Sequence, residues 1–399
     1  MPRVERGPLR GFYTPDYDGR STVNLLSSLI AAAGGTSPHR PLQDPRVAAL
    51  QSGRCILYLV VDGLGRAQLD RHLAAGQGQR FFARHDATTI STVFPATTAA
   101  AVTTFDTGAS PTEHGILSWY LHLPDLGCIA TVLRTHTRLG MPLLPETFDL
   151  QAYYRVPSYV ESIPIHRALL SWGDIPNVPF AAVGTRWSDR RAYLDLDGMV
   201  ATTAAFAAEP GRRFAYVYWP RYDGLCHEVG CEHIDVAAHF DAIDEALGRL
   251  CDELRGTGTT LCVLADHGLV DVPRSRCIDL ADVPGLMDCL ATAPAGDQRQ
   301  QSCFVRPGAV DDFLALAHAE LGEVCRCVPG HALIEAGVFG PGAPHPALRQ
   351  RLGDYVLLCN EGYSLIHTPP GFTPIYMPGS HGGMTEAEIQ VPLYVVECP

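Results

Sequence analysis

CILYLVVDGLG, residues 55–65, is an unbroken apolar run that ends on an acid and a glycine-rich turn. A short apolar run bounded by a turn predicts a strand buried on both faces, and such strands belong to parallel sheets covered by helices. Similar runs recur as FAAVG (180–184), FAYVYW (214–219), TLCVLA (260–265) and VPLYVVE (391–397). From about 234 to 254, Ile234, Ala237, Ala238, Phe240, Ile243, Ala246, Leu247 and Leu250 recur at helical spacing and predict an amphipathic helix. Strands alternating with helices give an α/β fold with a mostly parallel central sheet covered on both sides.

In such a sheet, ligands bind beyond the carboxyl ends of the strands. The residues found there are polar. Asp62 follows the first run, Arg221 and Asp223 follow FAYVYWP, and Asp266 and His267 follow TLCVLA, while His381 sits in a glycine-rich turn just before VPLYVVE. Two stretches break the pattern. Residues from about 269 to 377 carry many Pro and Gly and a short helical stretch at 310–321, which reads as an inserted subdomain within a single catalytic domain spanning 1–399. Residues from about 118 to 179 read as loops and short elements over the site, where substrate choice is commonly set.

The chain has 399 residues, 46% hydrophobic and 18% charged, a balance that fits a folded globular protein and excludes disordered and fibrous classes. Acids exceed bases by 43 to 30, giving a formal charge of -13 without a basic run. A nucleic-acid polymer or an anionic membrane is therefore not an expected partner, whereas a small phosphate ester remains open because bound cations can reverse the potential inside a site. The first twenty residues lack the apolar core of a signal peptide and no stretch reaches ~18 uninterrupted apolar residues, so a cytoplasmic protein is expected. Thirteen scattered cysteines are expected as reduced thiols. The pairs Cys226/Cys231 and Cys325/Cys327 lack a second half at zinc-finger spacing. Oligomeric state is left open.

Asp62, Asp223, His227, Asp266, His267 and His381 make three carboxylates and three imidazoles, about the inventory that two divalent zinc sites need. Each has an ordinary alternative, as a turn former, a helix cap or a loop histidine. Their coincidence at one end of one sheet favours a metal centre. The segment Ser91-Thr92-Val93-Phe94-Pro95-Ala96-Thr97-Thr98 leads into a small-residue run at 99–102, and a hydroxyl at a helix N-terminus sits where a developing alkoxide and a phosphate oxygen are both favoured. A plain threonine cap is the alternative there.

Taken in order, VVDGLG, the threonine before a small-residue helix, Thr107-Gly108, Pro111-Thr112-Glu113-His114-Gly115, Asp223 with His227, Ala265-Asp266-His267-Gly268 and Ser380-His381-Gly382-Gly383 resemble the alkaline phosphatase superfamily. The nucleotide pyrophosphatase/phosphodiesterase branch is the most similar, over about residues 55–396. The resemblance implies a three-layer sandwich and two divalent metal ions, zinc with manganese as the alternative. It assigns Asp62, Asp266 and His267 to one ion together with the nucleophile, and Asp223, His227 and His381 to the other. Counting back ten residues from Gly108, as the family spacing has it, gives Thr98 as nucleophile and metal ligand, with Thr97 as the fallback. The implied reaction is hydrolysis of a phosphodiester or nucleotide pyrophosphate through a phospho-threonine; a phosphomonoesterase, a phosphonate hydrolase and a silent metal-binding protein are the alternatives. Two positions depart from the family pattern. Val93 precedes Phe94-Pro95 where relatives often carry the nucleophile, and Trp119 stands where they place an asparagine. A sulfatase Cys-x-Pro-x-Arg and a G-x-S-x-G elbow are absent, and Gln68 replaces the third glycine of a dinucleotide-binding turn.

Overall fold

The computed structural model describes residues 3–143, 149, 157–178 and 187–398. At its centre lies a seven-stranded sheet in the order Thr88–Ser91, Gln390–Cys398, Thr259–Leu264, Cys55–Val61, Arg213–Trp219, His166–Trp172, Asp189–Tyr193. Every residue of Cys55–Val61, Arg213–Trp219 and Thr259–Leu264 is buried, as expected where both faces of a sheet are covered. These three strands pair in parallel, and the parallel block continues through His166–Trp172 to Asp189–Tyr193. Gln390–Cys398 runs antiparallel to both its neighbours. That reversal places the start of the last strand at the edge where the parallel strands finish. A histidine preceding it, His381, thereby reaches the acids that follow the others.

The architecture is the α/β fold expected, and the runs at 55–61, 214–219, 260–265 and 391–397 all form central strands. FAAVG (180–184) lies outside the described residues. Three strands of the sheet carry a weaker sequence signal: Thr88–Ser91 has only four residues, His166–Trp172 opens on His-Arg, and Asp189–Tyr193 is an edge strand whose burial alternates down a mostly polar sequence. Edge strands are commonly charged in this way, which guards against pairing with other chains.

The predicted helix spans Ile234–Glu253, but its inward face is shifted from the expected one. Val236, Phe240, Ile243, Leu247 and Leu250 face the core, whereas Ile234 is 73% exposed. Asp244 shares the buried face because it caps the chain opposite, accepting the N–H groups of Arg80, Phe81 and Phe82 at 2.6–2.9 Å.

A second seven-stranded sheet, antiparallel throughout, runs Cys325–Pro329, Tyr355–Cys359, Gln300–Cys303, Ala295–Asp297, Tyr120–Leu123, Cys128–Thr131, His136–Thr137. It draws on both irregular stretches, which meet where Tyr120 pairs with Gly296. The stretch 118–179 is therefore more regular than loops over a site. It supplies three strands here and His166–Trp172 to the central sheet. Leu121 and Leu123 share a core with Phe94 and Ala99, which fastens this sheet against the helix Thr98–Thr107.

Candidate metal centre

Two close approaches of backbone bring the strand ends together. A Cβ on Gly65 would lie 2.4 Å from the Cα of Gly268, and one on Gly268 would lie 2.0 Å from the carbonyl oxygen of Ala387. Only glycine fits at such contacts. The turns after Cys55–Val61 and Thr259–Leu264 and the segment after His381 are thus pressed together. Gly63 N–H donates to Asp266 Oδ1 at 3.0 Å, Asp223 N–H donates to the carbonyl of Asp62 at 3.1 Å, and the hydroxyl of Thr92 donates to the carbonyl of Asp266.

All seven residues singled out in the sequence converge. His267 Nε2 lies 3.4 Å from Asp62 Oδ1, 3.4 Å from Asp266 Oδ2 and 3.1 Å from Thr98 Oγ1. Beside it, Asp223 Oδ2 is 3.0 Å from His227 Nε2, and Asp223 Oδ1 is 3.8 Å from His381 Nε2. Asp223 stands between the two clusters, since its ligand atoms come within 4.8 Å of those of His227 and His381 and also of those of Asp62 and His267. Asp223 and His227 lie one turn apart on the helix Arg221–Val229, so a single element supplies both.

The hydrogen bonds around the centre leave its donor atoms turned inward. His227 Nδ1 faces the carbonyl of Gly379 at 2.7 Å, His267 Nδ1 that of Gly268 at 3.2 Å and His381 Nδ1 that of Ala96 at 3.2 Å. A carbonyl can only accept, so each Nδ1 carries a proton and each Nε2 is the nitrogen turned towards the carboxylates. Asp62 Oδ1, Asp223 Oδ1 and Asp266 Oδ2 are buried without a hydrogen-bond partner, and they are the oxygens that approach those imidazoles. Three buried carboxylate oxygens without a hydrogen-bond partner, facing three inward Nε2 atoms, make a donor set that suits divalent cations.

Electrostatics agree. Burial, then the charges of Asp266 and Asp223, push the Asp62 carboxyl well above its ordinary range, and burial chiefly raises Asp266. His381 is driven well down by burial and by His267, whose ring stacks on it at 3.8 Å. Burial works against a charge on His227 too, but the Asp223 carboxylate outweighs it and lifts the imidazole to about 9. The same pair, against burial, holds Asp223 below the usual carboxylate range. Acids this crowded need positive charge among them.

Thr98 is the first residue of the helix Thr98–Thr107, which closes at Gly108 in the left-handed conformation with φ 73°. Thr97, the fallback, is the extended capping residue outside it. Three residues of the site were not singled out from the sequence. The hydroxyl of Tyr218 donates to Asp62 Oδ2, although Tyr218 reads as one more member of a buried strand. Asp297 ends a strand of the second sheet, where both its oxygens accept the N–H of Trp119 at 3.3 Å; burial raises it to about 7. Glu388 accepts from Gly383 N–H at 2.8 Å and from the buried Arg299 at 3.1 Å, and so clamps the turn that bears His381. The Thr385-x-x-Glu388 spacing of a capping box is the signal that could have found it.

Residues 56–384 match the family model of type I phosphodiesterase/nucleotide pyrophosphatase. The chain belongs to that family. Its members are hydrolases, and the family lies within the alkaline phosphatase superfamily, whose α/β fold this chain has. None of the curated proteins compared with it matches in sequence. Among solved structures, it is similar to murine ectonucleotide pyrophosphatase/phosphodiesterase 5, with a TM-score of 0.62 and 15% identity over 85% of this chain and 87% of that one. An inactive variant of the murine protein in complex with AMP matches equally well. Phosphonoacetate hydrolase from Sinorhizobium meliloti 1021, in complex with phosphonoformate, gives a TM-score of 0.63 and 17% identity over 86% of this chain and 90% of that one. At such identities the likeness of these structures carries the fold. Family membership and the donor set carry the chemistry, which is hydrolysis of phosphate esters at a metal-dependent site.

Proposed function

We propose that this hydrolase cleaves phosphodiester or nucleotide pyrophosphate bonds in two steps, through a phosphate ester of Thr98. The observation that carries the reading is the 3.1 Å approach of Thr98 Oγ1 to His267 Nε2, among donor atoms that all face inward. Two divalent ions, zinc or alternatively manganese, would be held by Asp62, Asp266 and His267 with Thr98, and by Asp223, His227 and His381. When bound, such ions lower the pKa of a hydroxyl or water and offset charge on phosphoryl oxygens.

The chain's own residues supply position. Thr98 presents its oxygen at the start of a helix, where the free N–H groups of the first turn face an anionic phosphoryl group. In the first step, Thr98 Oγ bonds to phosphorus as the ester oxygen opposite departs. In the second, water displaces Thr98, the phosphorus–Oγ bond breaks and the hydroxyl is restored. Tyr218 holds Asp62 in place, and the three backbone carbonyls fix which nitrogen each imidazole offers.

A phosphomonoester or phosphonate substrate is the second reading, favoured by Trp119 standing where the resemblance places an asparagine. Catalytic efficiency on bis-p-nitrophenyl phosphate against p-nitrophenyl phosphate, with zinc and with a chelator, separates the two. Chelator-sensitive preference for the diester supports the first, and preference for the monoester replaces it with the second. Thr98→Ala is expected to lower turnover by roughly 10³-fold or more with bound metal unchanged. Full activity in that variant would move the nucleophile to Thr97 or to water.

A further inference from the structure

We propose that Cys251 and Cys398 form a thiol–disulfide exchange site, at which a small disulfide carrying carboxylates is reduced and the two cysteines become joined. The site is separate from the metal centre and does not depend on the reading above.

Packing on one face of the central sheet brings the two thiols together. Tyr394, Val396 and Cys398 are buried on one side of the final strand, while Glu397 between them is exposed. Tyr394 meets Phe81 and Phe82, with ring centroids 5.4 and 5.6 Å away, and Phe82 stacks on Phe240 at 5.0 Å. The helix Ile234–Glu253 therefore covers this side of the strand. Along the helix, Phe240, Asp244, Gly248 and Cys251 follow one another at helical spacing and form a single stripe. Asp244 accepts from the backbone at 80–82, and a Cβ on Gly248 would lie 3.1 Å from that of Arg80. The contact that begins at Phe240 and Tyr394 ends at Cys251 and Cys398, which line one cavity of about 430 Å³ and are both free thiols. Cys398 pairs with Thr259, the first residue of Thr259–Leu264, so the cavity opens at the edge where the parallel strands begin. The metal centre occupies the opposite edge.

The cavity differs in charge from the chain as a whole. Arg80, Arg84 and Arg255 line it against Asp252 and Glu397, a positive balance in a protein of formal charge -13. Asp252 is held by Arg255 at 2.7 Å. Such a wall favours an anionic reactant. The Cys251 thiol beside it, helped by Arg255 and opposed by burial, holds Cys398 below the ordinary thiol range. Cys251 is raised in turn, chiefly by Cys398 and then by burial. The pair thus keeps its thiolate on Cys398 and its proton on Cys251, the arrangement that exchange requires. The Cys398 thiolate bonds to one sulfur of the small disulfide, whose S–S bond breaks to release a thiolate. That thiolate takes the proton of Cys251, and the Cys251 sulfur then displaces the remaining half from Cys398. The small disulfide gains two electrons and leaves as two thiols, while the protein gains one disulfide.

The test incubates the reduced full-length protein with glutathione disulfide, blocks the remaining thiols with iodoacetamide and reads the peptides by mass spectrometry without reduction. A Cys251–Cys398 linked peptide is expected, and it should disappear on treatment with dithiothreitol. Recovery of both residues as alkylated thiols would overturn the proposal, as would linkage of either to another cysteine. Cys251→Ser should instead stop at a single glutathione on Cys398, and glutathione borne only by other cysteines in that variant would count against the site. The anionic specificity has its own check. Arg84→Gln should slow linkage by glutathione disulfide several-fold without changing linkage by the uncharged bis(2-hydroxyethyl) disulfide. Equal slowing with both would overturn the role given to the basic wall.

Discussion

His227 shows how one residue here answers to two partners. Without a cation its imidazole pairs with Asp223 and is raised to about 9, so at neutral pH it is protonated on the nitrogen that a metal would use. A metal must displace that proton. Because the free protein's pKa is raised, binding below it releases a proton and apparent affinity climbs with pH until about 9, then levels off. Zinc titrations by calorimetry in buffers of different ionisation enthalpy are expected to show proton release at pH 7 that fades above pH 9. No proton release at pH 7 would mean that His227 is already neutral or is not a ligand. The residue types at this centre were legible in the sequence, since acids and histidines at strand ends have few structural duties. Tyr218 and Asp297 were not, because a buried tyrosine in a strand and an aspartate in an irregular stretch look like many others until the chain folds around them.

At the scale of elements, the turn 380–388 depends on a buried ion pair. Arg299 and Glu388 are both fully buried, and Glu388 also accepts from the N–H groups of Gly383 and Thr385 and the Thr385 hydroxyl. Glu388→Gln would leave the guanidinium of Arg299 without a counter-charge, a change that costs roughly 3–5 kcal/mol. Denaturant unfolding should show that loss, and zinc retention at limiting metal should fall because His381 rides on the same turn. Unchanged stability and zinc content would show that the turn is held by other contacts. Burial opposes the charge on Glu388, but Arg299 and the hydrogen bonds keep its pKa below the ordinary value. Its contribution is therefore present above the unfolded glutamate pKa and is lost as pH falls through the lower folded one. The helix Ile234–Glu253 teaches a related lesson about elements. Its existence and length follow from apolar spacing, but Asp244 lies on the inward face because the chain at 80–82 needs an acceptor there, and periodicity cannot carry that information.

For the whole molecule, the centre is a store of like charge that cations relieve. Asp62 is raised by burial and by the charges of Asp266 and Asp223, so the metal-free fold carries a cost that bound ions remove. Saturating zinc at about 1,000 times its Kd is expected to stabilise the wild-type protein by about 4 kcal/mol. Asp62→Asn should behave in the opposite sense: the chelated variant is expected to be more stable than chelated wild type by ~1 kcal/mol or more, and zinc should add less. Thermal unfolding of both proteins with zinc and with chelator reads both effects, and a chelated variant less stable than chelated wild type would refute the repulsion.

The sequence by itself determined the parallel core, because a strand buried on both faces must be apolar throughout, as Cys55–Val61 is. It also marked Asp62, Asp223, Asp266 and His267 as candidate ligands, because a residue that closely follows a parallel strand lies at the sheet's carboxyl edge. Tertiary structure decided what depends on contacts between distant segments. Those are the reversal that brings His381 to the same edge, the second sheet built from both irregular stretches, and the meeting of Trp119 with Asp297 and Arg134. Local pattern records which face of an element is buried. Partners separated by hundreds of residues leave no period to read, and only packing brings them together.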